Sequence, residues 1–491
     1  MSALEQAILA IDLGTTEAKA GLITPDGRLL AGKRSGYPLD IEASTGRAEQ
    51  DPEAWWRAIA EVTHDLIGRN LAQVVAVCVV GQGPTMVPVD ADGRATHPAI
   101  TWMDTRPAAE APTLEAATGL TGWGLGILPA ARWLERSVPE AADRTRWYLN
   151  AWEWATLRLT GIAAATRSFG QLLPDPSEAA AAGLSAERLA PFIDAGSIVA
   201  GLAPVPARDL GLPAGVPVVA GTVDSFASFH GAGLVDPGDA VDTGGTSGGL
   251  AVYWHEAIQA GGVWVAPAPL PGRWMLGGAM TATGKALDWL ADSVLGGGPG
   301  GSVPVPTAEA LVAEAATIGP GADGLIFLPY LAGERSPIWD PAARGAFVGL
   351  TLEHGRAHFA RAVLEAAAYA LRHVARPIVE AGVRIAELRV TGGTARTDTW
   401  NQVKADVLGL PVAVPAIRES ALLGAAILAS TVVGWQPDVA HGIRAMVRID
   451  RRLEPDPSKQ AAYDEAFEAY VALWPAIAPI VHRAHKVAVP A

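Results

Sequence analysis

The stretch Ile8-Leu9-Ala10-Ile11-Asp12-Leu13-Gly14-Thr15-Thr16-Glu17-Ala18-Lys19 decides how this chain is read. An apolar run stops at an acidic residue, and a glycine turn carrying two hydroxyls follows. Such a turn can aim backbone N–H groups and threonine hydroxyls at one anion. The same grammar returns 230 positions later in Ala240-Val241-Asp242-Thr243-Gly244-Gly245-Thr246-Ser247. A single Gly-Thr turn joins many ordinary hairpins. Two copies, one in each half of the chain and each behind an acidic strand end, describe a phosphate gripped from both sides. The expected architecture is a two-lobed α/β nucleotide protein.

Working outward, residues 8–12 and 17–23 read as a hairpin about the first turn, and Pro25-Asp26-Gly27 leads to a further strand. Residues 74–80 and 216–220 read as buried strands. Asp90-Ala91-Asp92-Gly93 is a hairpin signal, so 85–89 is expected to pair with a strand after that turn. A helix is expected over 52–67, with Asp51 as its cap and Pro52 in the first helical position. In the second half, strands are expected at 239–243, 250–253 and 388–390. A long helix over 356–381 is followed by Gly382. Tyr463, Phe467, Tyr470, Val471 and Trp474 share one helical face and read as core. Gly/Pro-rich 296–306 reads as a loop. Asp236-Pro237-Gly238 divides the chain into comparable halves, 1–237 and 238–491, expected to be duplicated α/β domains.

At 491 residues, two large domains are the default, and a 50% hydrophobic composition supplies two cores. The net charge of −14, with no Lys/Arg block, argues against nucleic acid as a partner. The single cysteine, Cys78, lies in an apolar run and reads as a buried thiol. No apolar stretch is long enough to span a bilayer, and no leader pattern precedes the first strand. A cytoplasmic protein without membrane partners is the expectation.

Phosphoryl transfer needs the phosphates held, their charge neutralised, and an acceptor hydroxyl aligned and deprotonated. Gly14, Thr15 and Thr16, together with Gly245, Thr246 and Ser247, supply the holding. Asp12, at its strand mouth, is placed to orient a hydrated Mg²⁺, which keeps several waters. Lys19 either reaches a phosphate or is a solvated strand lysine. Gly392-Gly393, before a helix carrying Trp400, Gln402 and Asp406, is a candidate nucleoside element. Asp224 ends the run Val219-Ala220-Gly221-Thr222-Val223 and is either a general base or a helix cap. Gln82, Thr85, Trp102, Asp104 and Arg106 are the residue types of a polyol pocket, or else a surface loop with a local Asp–Arg pair. No Walker A lysine motif, dinucleotide fingerprint or zinc-ligand spacing is present.

At this point the chain resembles the FGGY carbohydrate kinases of the actin-like ATPase superfamily, most closely their xylulokinase-like branch. The resemblance spans nearly the whole sequence, with its parts in family order. Asp12 to Lys19 matches the first phosphate turn, and Glu49-Gln50-Asp51-Pro52 with Trp55-Trp56 matches a family segment. Trp102-Met103-Asp104 stands where the family usually has Trp-Asn-Asp. Val219 to Asp224 matches the strand bearing the catalytic aspartate, and Gly245-Thr246-Ser247 matches the second phosphate turn. Leu328-Pro329-Tyr330-Leu331-Ala332-Gly333-Glu334-Arg335-Ser336-Pro337 is close to a family string. The family's C-terminal signature fits Gly345, Phe347, Gly349, Leu350, His358, Phe359 and Ala362-Val363-Leu364-Glu365. Gly392-Gly393 and Trp400 to Asp406, with Gln402, match the adenosine segment.

The resemblance implies two actin-like, ribonuclease H-like domains flanking a cleft. It also implies ATP and Mg²⁺ as cofactors, Asp224 as base and a sugar or polyol as substrate; family members are often dimers, so a homodimer stays open, although the sequence does not fix the oligomeric state. Two departures bear on the sugar. Xylulokinases usually read Gln-Met-His-Gly where this chain has Gln82-Gly83-Pro84-Thr85. A family lysine near Ala130 is missing from Pro129-Ala130-Ala131-Arg132-Trp133. The expected activity is ATP-dependent phosphorylation of a terminal hydroxyl, with a ketopentose such as xylulose as first candidate. Ribulose, erythritol-like polyols, glycerol and gluconate stay open. A nucleotide-gated actin-like clamp and a sugar-sensing paralogue are the rival readings.

Overall fold

The computed structural model describes residues 4–167, 175–245, 247–296 and 305–488. Two compact units share the chain discontinuously. The first comprises Met1–Gly233, Pro269–Pro271 and Glu419–Arg448, and the second Leu234–Ala268, Gly272–Arg418 and Ile449–Ala491. The expected single division at Pro237 and this partition differ chiefly over residues 419–448.

In the first unit, β1 (Gln6–Leu13), β2 (Glu17–Ile23), β3 (Leu29–Gly36), β4 (Gln73–Gly81), β5 (Ile198–Gly201) and β6 (Pro217–Val219) form one sheet. Its strand order is β5-β6-β4-β1-β2-β3. Every residue of β1 after Gln6 is buried, as a strand covered on both faces requires. It pairs antiparallel with β2 through the Gly14 turn and parallel with β4.

Six of the helices pack at the cores or beside the glycine turns: α1 (Pro52–Gly68), α2 (Asp224–Ala232), α3 (Arg356–Glu380), α4 (Asp398–Leu408), α5 (Ser420–Val432) and α6 (Gln460–Ala488). Helix α1 begins where its sequence dictates, with the Asp51 carboxylate accepting the Glu53 N–H at 2.9 Å and Pro52 opening the first turn. Its apolar face, including Trp55, Ile59, Val62 and Leu66, is buried, and the helix packs on β2 and β3. The thiol of Cys78 is buried within β4, and that burial pushes it up to about 12.

Helix α5 comes from late in the sequence yet packs on α2, β1 and β4 of the first unit. Two glycines explain how closely α2 and α5 cross. A Cβ on Gly231 would overlap the Ser420 carbonyl, and one on Gly424 would overlap the Ala227 carbonyl. The crossing is backbone on backbone, and only glycine fits at both positions.

The second unit repeats the plan. Strands β7 (Asp239–Asp242), β8 (Gly248–Trp254), β9 (Trp264–Pro267), β10 (Trp274–Met280), β11 (Glu387–Val390), β12 (Val412–Pro415) and β13 (Ile449–Leu453) form a sheet ordered β9-β10-β8-β7-β11-β12-β13. Like β1, β7 has an antiparallel hairpin neighbour on one side, β8, and a parallel strand on the other, β11. Ala240, Leu250, Val252, Leu388 and Val390 pack with Leu371 and Val374 of α3 in its core. The stripe Tyr463, Phe467, Tyr470 and Trp474 on α6 is buried, as expected, beside Tyr330 and Tyr369.

Strand 86–89 meets residues after its turn through Val89–Ala95 and Met86–Ile100 bridges. Its longest partner is one the sequence did not suggest, Trp147–Asn150. Within the expected loop 296–306, residues 297–304 lie outside the described residues. Among the described residues no helix is long and apolar enough to cross a membrane.

The glycine crossing gives a direct test. Gly424→Ala forces α5 away from α2, an overpacking cost of about 1–3 kcal/mol. At about 2–4 °C per kcal/mol for a unit of this size, thermal unfolding should drop by several degrees, and an unchanged Tm would contradict the packing described.

Candidate active site

Strand register brings the first-unit residues together. Asp12 opposes Lys19 across the hairpin, and its neighbour Leu13 lies beside Gly81 at the end of β4. Gly81 in turn bridges Val223, and its N–H bonds the Thr222 carbonyl at 3.2 Å. Asp224, the first residue of α2, therefore emerges beside the Asp12 strand end.

Asp12 is buried, and one carboxylate oxygen, Oδ2, lies 3.8 Å from the Lys19 ammonium. That ammonium also meets Glu419 at 3.0 Å and Glu17 at 3.9 Å. Burial pushes Asp12 up to about 6, against the pull of Lys19 and with Glu419 and Glu17 adding to the rise. Half-buried Asp224 is pushed up to about 7, first by desolvation and then by the Asp12 charge. The Ser225 N–H, donating to Asp224 at 2.6 Å, and the Lys19 charge act the other way. The capping alternative is not realised: Val223 holds the N-cap position with no side-chain cap, Asp224 is the first helical residue, and its carboxyl carries the raised proton affinity expected of a base. Lys19 is held above its ordinary value by the three carboxylates, although desolvation opposes them.

The first glycine turn is braced from several sides. Gly14 N–H bonds the Glu17 carbonyl at 3.1 Å, and the Tyr37 hydroxyl donates to the Gly14 carbonyl. A closed circuit of hydrogen bonds then joins this turn to the expected acceptor loop. Gln50 donates to the Thr15 carbonyl at 2.7 Å, and Gln82 donates to Gln50 Oε1 at 2.7 Å. Thr85 donates to Gln82 at 3.4 Å and receives the Trp102 backbone N–H at 3.2 Å. The Trp102 indole closes the ring on the Thr15 hydroxyl at 3.0 Å.

Gln82 and Thr85 are buried, whereas Trp102 is 44% exposed and Thr16 is exposed. Asp104 is spent locally: it accepts the Ala48 N–H at 2.9 Å and pairs with Arg106 at 2.6 Å. Arg106 also bonds Glu49 and stacks on Trp133.

In the second unit, Asp242 at the end of β7 makes a buried ion pair with Lys404 of α4 at 2.6 Å. Gly245 N–H bonds the Ser247 carbonyl at 3.0 Å, while Thr246 lies outside the described residues. Gly392, with φ of 71°, presses against this turn: a Cβ there would overlap the Gly244 carbonyl. Gly393 is exposed with open space about it. Gln402 turns away to Asp406 at 2.7 Å and the Glu454 carbonyl at 2.8 Å, with no hydrogen bond to either glycine turn among the described residues.

Sequence reasoning overlooked Lys404, Glu419 and Tyr37, and met Gln50 only inside a family segment. The signal for Lys404 was present: Trp400, Val403, Lys404 and Val407 share one helical face, so the lysine falls on the apolar side. Glu419 and Tyr37 reach the site through tertiary folding alone.

One buried oxygen, Asp12 Oδ1, has no hydrogen-bond partner among the described residues. Those residues also include no cluster of three His, Cys, Asp or Glu able to hold a metal. A carboxylate oxygen with a spare buried lone pair fits a water-rich ion such as Mg²⁺, which takes one or two carboxylates and keeps its waters.

Twin sheets of matching topology, each with an aspartate at the end of a central strand before a glycine turn, are the build of a two-domain nucleotide protein, and the family comparison makes that protein a sugar kinase. Residues 7–231 match the N-terminal domain, and 240–432 the C-terminal domain, of the FGGY family of carbohydrate kinases, and the chain belongs to that family. It is 31% identical to the xylulose kinase of Escherichia coli (strain K12), over 96% of this chain and 99% of the relative. It is 28% identical to the gluconokinase of Bacillus subtilis (strain 168), over 87% and 88%. The crystal structure of xylulose kinase from Rhodospirillum rubrum superposes with a TM-score of 0.82 at 28% identity, covering 97% of this chain and 99% of that one.

The raised Asp224 carboxyl has a stability consequence. Its folded value near 7 exceeds the ordinary unfolded value of about 4, so the native state binds more protons between those pH values. Its contribution to stability is therefore fully present below about pH 4 and is lost as pH rises through 7. Asp224→Asn removes that loss. The variant should match wild type near pH 4 and unfold a few degrees higher at pH 8; a lower Tm at pH 8 would contradict the burial described.

Proposed function

We propose that this kinase transfers the γ-phosphoryl group of ATP to a terminal hydroxyl of a small sugar, with a ketopentose such as xylulose first among the candidates. The observation that carries the reading is Asp224: a carboxyl pushed up to about 7, next to a second carboxylate and a lysine, on the first residue of a helix. A general base works best with a value near the operating pH. In the proposed step, Asp224 takes the hydroxyl proton while the sugar oxygen bonds to the γ-phosphorus. The bond from that phosphorus to the β–γ bridging oxygen breaks, and ADP leaves with the electron pair. Mg²⁺, held through water on Asp12, would neutralise charge on the β- and γ-phosphates.

Gly14, Thr15, Thr16 and Lys19 serve as phosphate contacts in this reading, as do Gly245, Thr246 and Ser247. Gly392 and Gly393 seat the nucleoside, with Gln402 on the helix behind them. Trp102 and Asp224 keep solvent-facing surface and meet the sugar. Gln82, Thr85 and Asp104 shape its wall, since their polar atoms are already engaged. The similarity to xylulose kinases supports the ketopentose, and the gluconokinase relative supports keeping sugar acids in the comparison. In place of the usual Met-His, Gly83-Pro84 offers no side-chain donor, so specificity rests on fewer polar contacts.

Two measurements test this. Asp224→Ala should abolish sugar-dependent ADP release while leaving ATP affinity within a few-fold; near-normal turnover would remove Asp224 as the base. Xylulose, ribulose, erythritol, glycerol and gluconate compared by coupled ADP detection should give the highest kcat/KM with xylulose. A tenfold preference for another member would reassign the sugar without touching the chemistry.

A further inference from the structure

Among the buried charges that the mechanism proposed above leaves unused, Lys404 lies beside a glycine turn. We infer that Lys404 is a positioning residue for the second glycine turn, its sealed ammonium neutralising Asp242 so that the turn can receive phosphate. The inference rests on the kinase reading and concerns the same nucleotide turn.

Asp242 is the last residue of β7, one position before Thr243-Gly244-Gly245. A carboxylate at that place, unpaired and out of water, would repel the phosphate the turn is meant to hold. The Lys404 ammonium lies 2.6 Å from it, with side-chain exposures of only 1% for Lys404 and 4% for Asp242. The ammonium also sits 5.7 Å from the centroid of the Trp400 ring one helical turn earlier. A lysine so enclosed does not reach a nucleotide; it acts through Asp242.

The pair is one of several links between the same pieces of structure. Helix α4 follows directly on the Gly392-Gly393 segment. The Thr391 N–H bonds the Asp242 carbonyl at 3.0 Å, and Gly392 presses on the Gly244 carbonyl. Lys404 closes this set from the helix side, so the phosphate turn and the nucleoside turn are held as one piece. The first unit handles the equivalent carboxylate differently. Asp12 faces Lys19, which is 26% exposed and shared among three carboxylates, a lysine open to a ligand.

The test compares wild type, K404M and the double variant D242N/K404M. MgADP affinity is measured by calorimetry, and KM for ATP and for the preferred sugar of the panel by steady-state kinetics. K404M should weaken MgADP and raise KM for ATP at least tenfold, with KM for the sugar within twofold. The double variant buries no charge and should bind MgADP within threefold of wild type. A K404M protein that binds MgADP as wild type does, or a double variant as weak as the single, would overturn the role of Lys404. Equal rises in both KM values would point to general damage and overturn it as well. Should K404M fail to fold, the double variant alone carries the comparison, with affinity near wild type in support and a tenfold loss against. If wild type itself binds no MgADP, the nucleotide reading falls with it, an outcome distinct from failure of K404M alone.

Discussion

Two neighbouring carboxyls, one buried and one half-buried, beside one lysine are the constraint around which the first unit is built. Asp12 and Asp224 each lose hydration, and each raises the cost of charging the other. Lys19 offsets part of that cost without cancelling it, because Glu17 and Glu419 compete for the same ammonium. The outcome is a pair of carboxyls poised near neutrality. Neither position is free to drift. Asp12 is fixed by a strand paired on both sides, and Asp224 by the bridge from Gly81 to Val223.

The two units apply one topology to two electrostatic tasks. In both, a central strand has a hairpin neighbour and a parallel neighbour and carries an aspartate at or next to its end, before a glycine turn. In the first, the countercharge stands on the hairpin and stays accessible. In the second it comes from a helix and is sealed under the turn. The first lysine keeps solvent-facing surface, whereas the second is enclosed with its carboxylate. Helix α5, crossing α2 at backbone distance through Gly231 and Gly424, braces the helix that Asp224 begins.

Local signals were the legible part of the sequence. The first hairpin, α1 with its Asp51 cap, the long helix α3 and the aromatic face of α6 all follow from periodicity and turn chemistry. Each is decided by residues close together in the chain. The glycine turns were legible for the same reason, although Thr246 falls outside the described residues. Long-range placement was not legible. Nothing near residues 419–448 indicates that they pack with the first unit, because that depends on α2 and β1, which lie far back in sequence. The partner strand Trp147–Asn150 was hidden likewise. Lys404 was legible in principle, since its i+4 spacing from Trp400 puts it on a buried face, yet a helical lysine ordinarily reads as solvated. Asp104 shows the converse: its residue type suits a sugar contact, and the fold gives it to Arg106 and the Ala48 N–H.

The most direct test of the account is the pH dependence of kcat/KM for the preferred sugar, which reports ionisations of the free enzyme. An acid limb with its midpoint near 7 is predicted, set by deprotonation of Asp224 beside Asp12. A profile flat from about pH 5 to 9, or a midpoint near the ordinary carboxylate value of about 4, would contradict it.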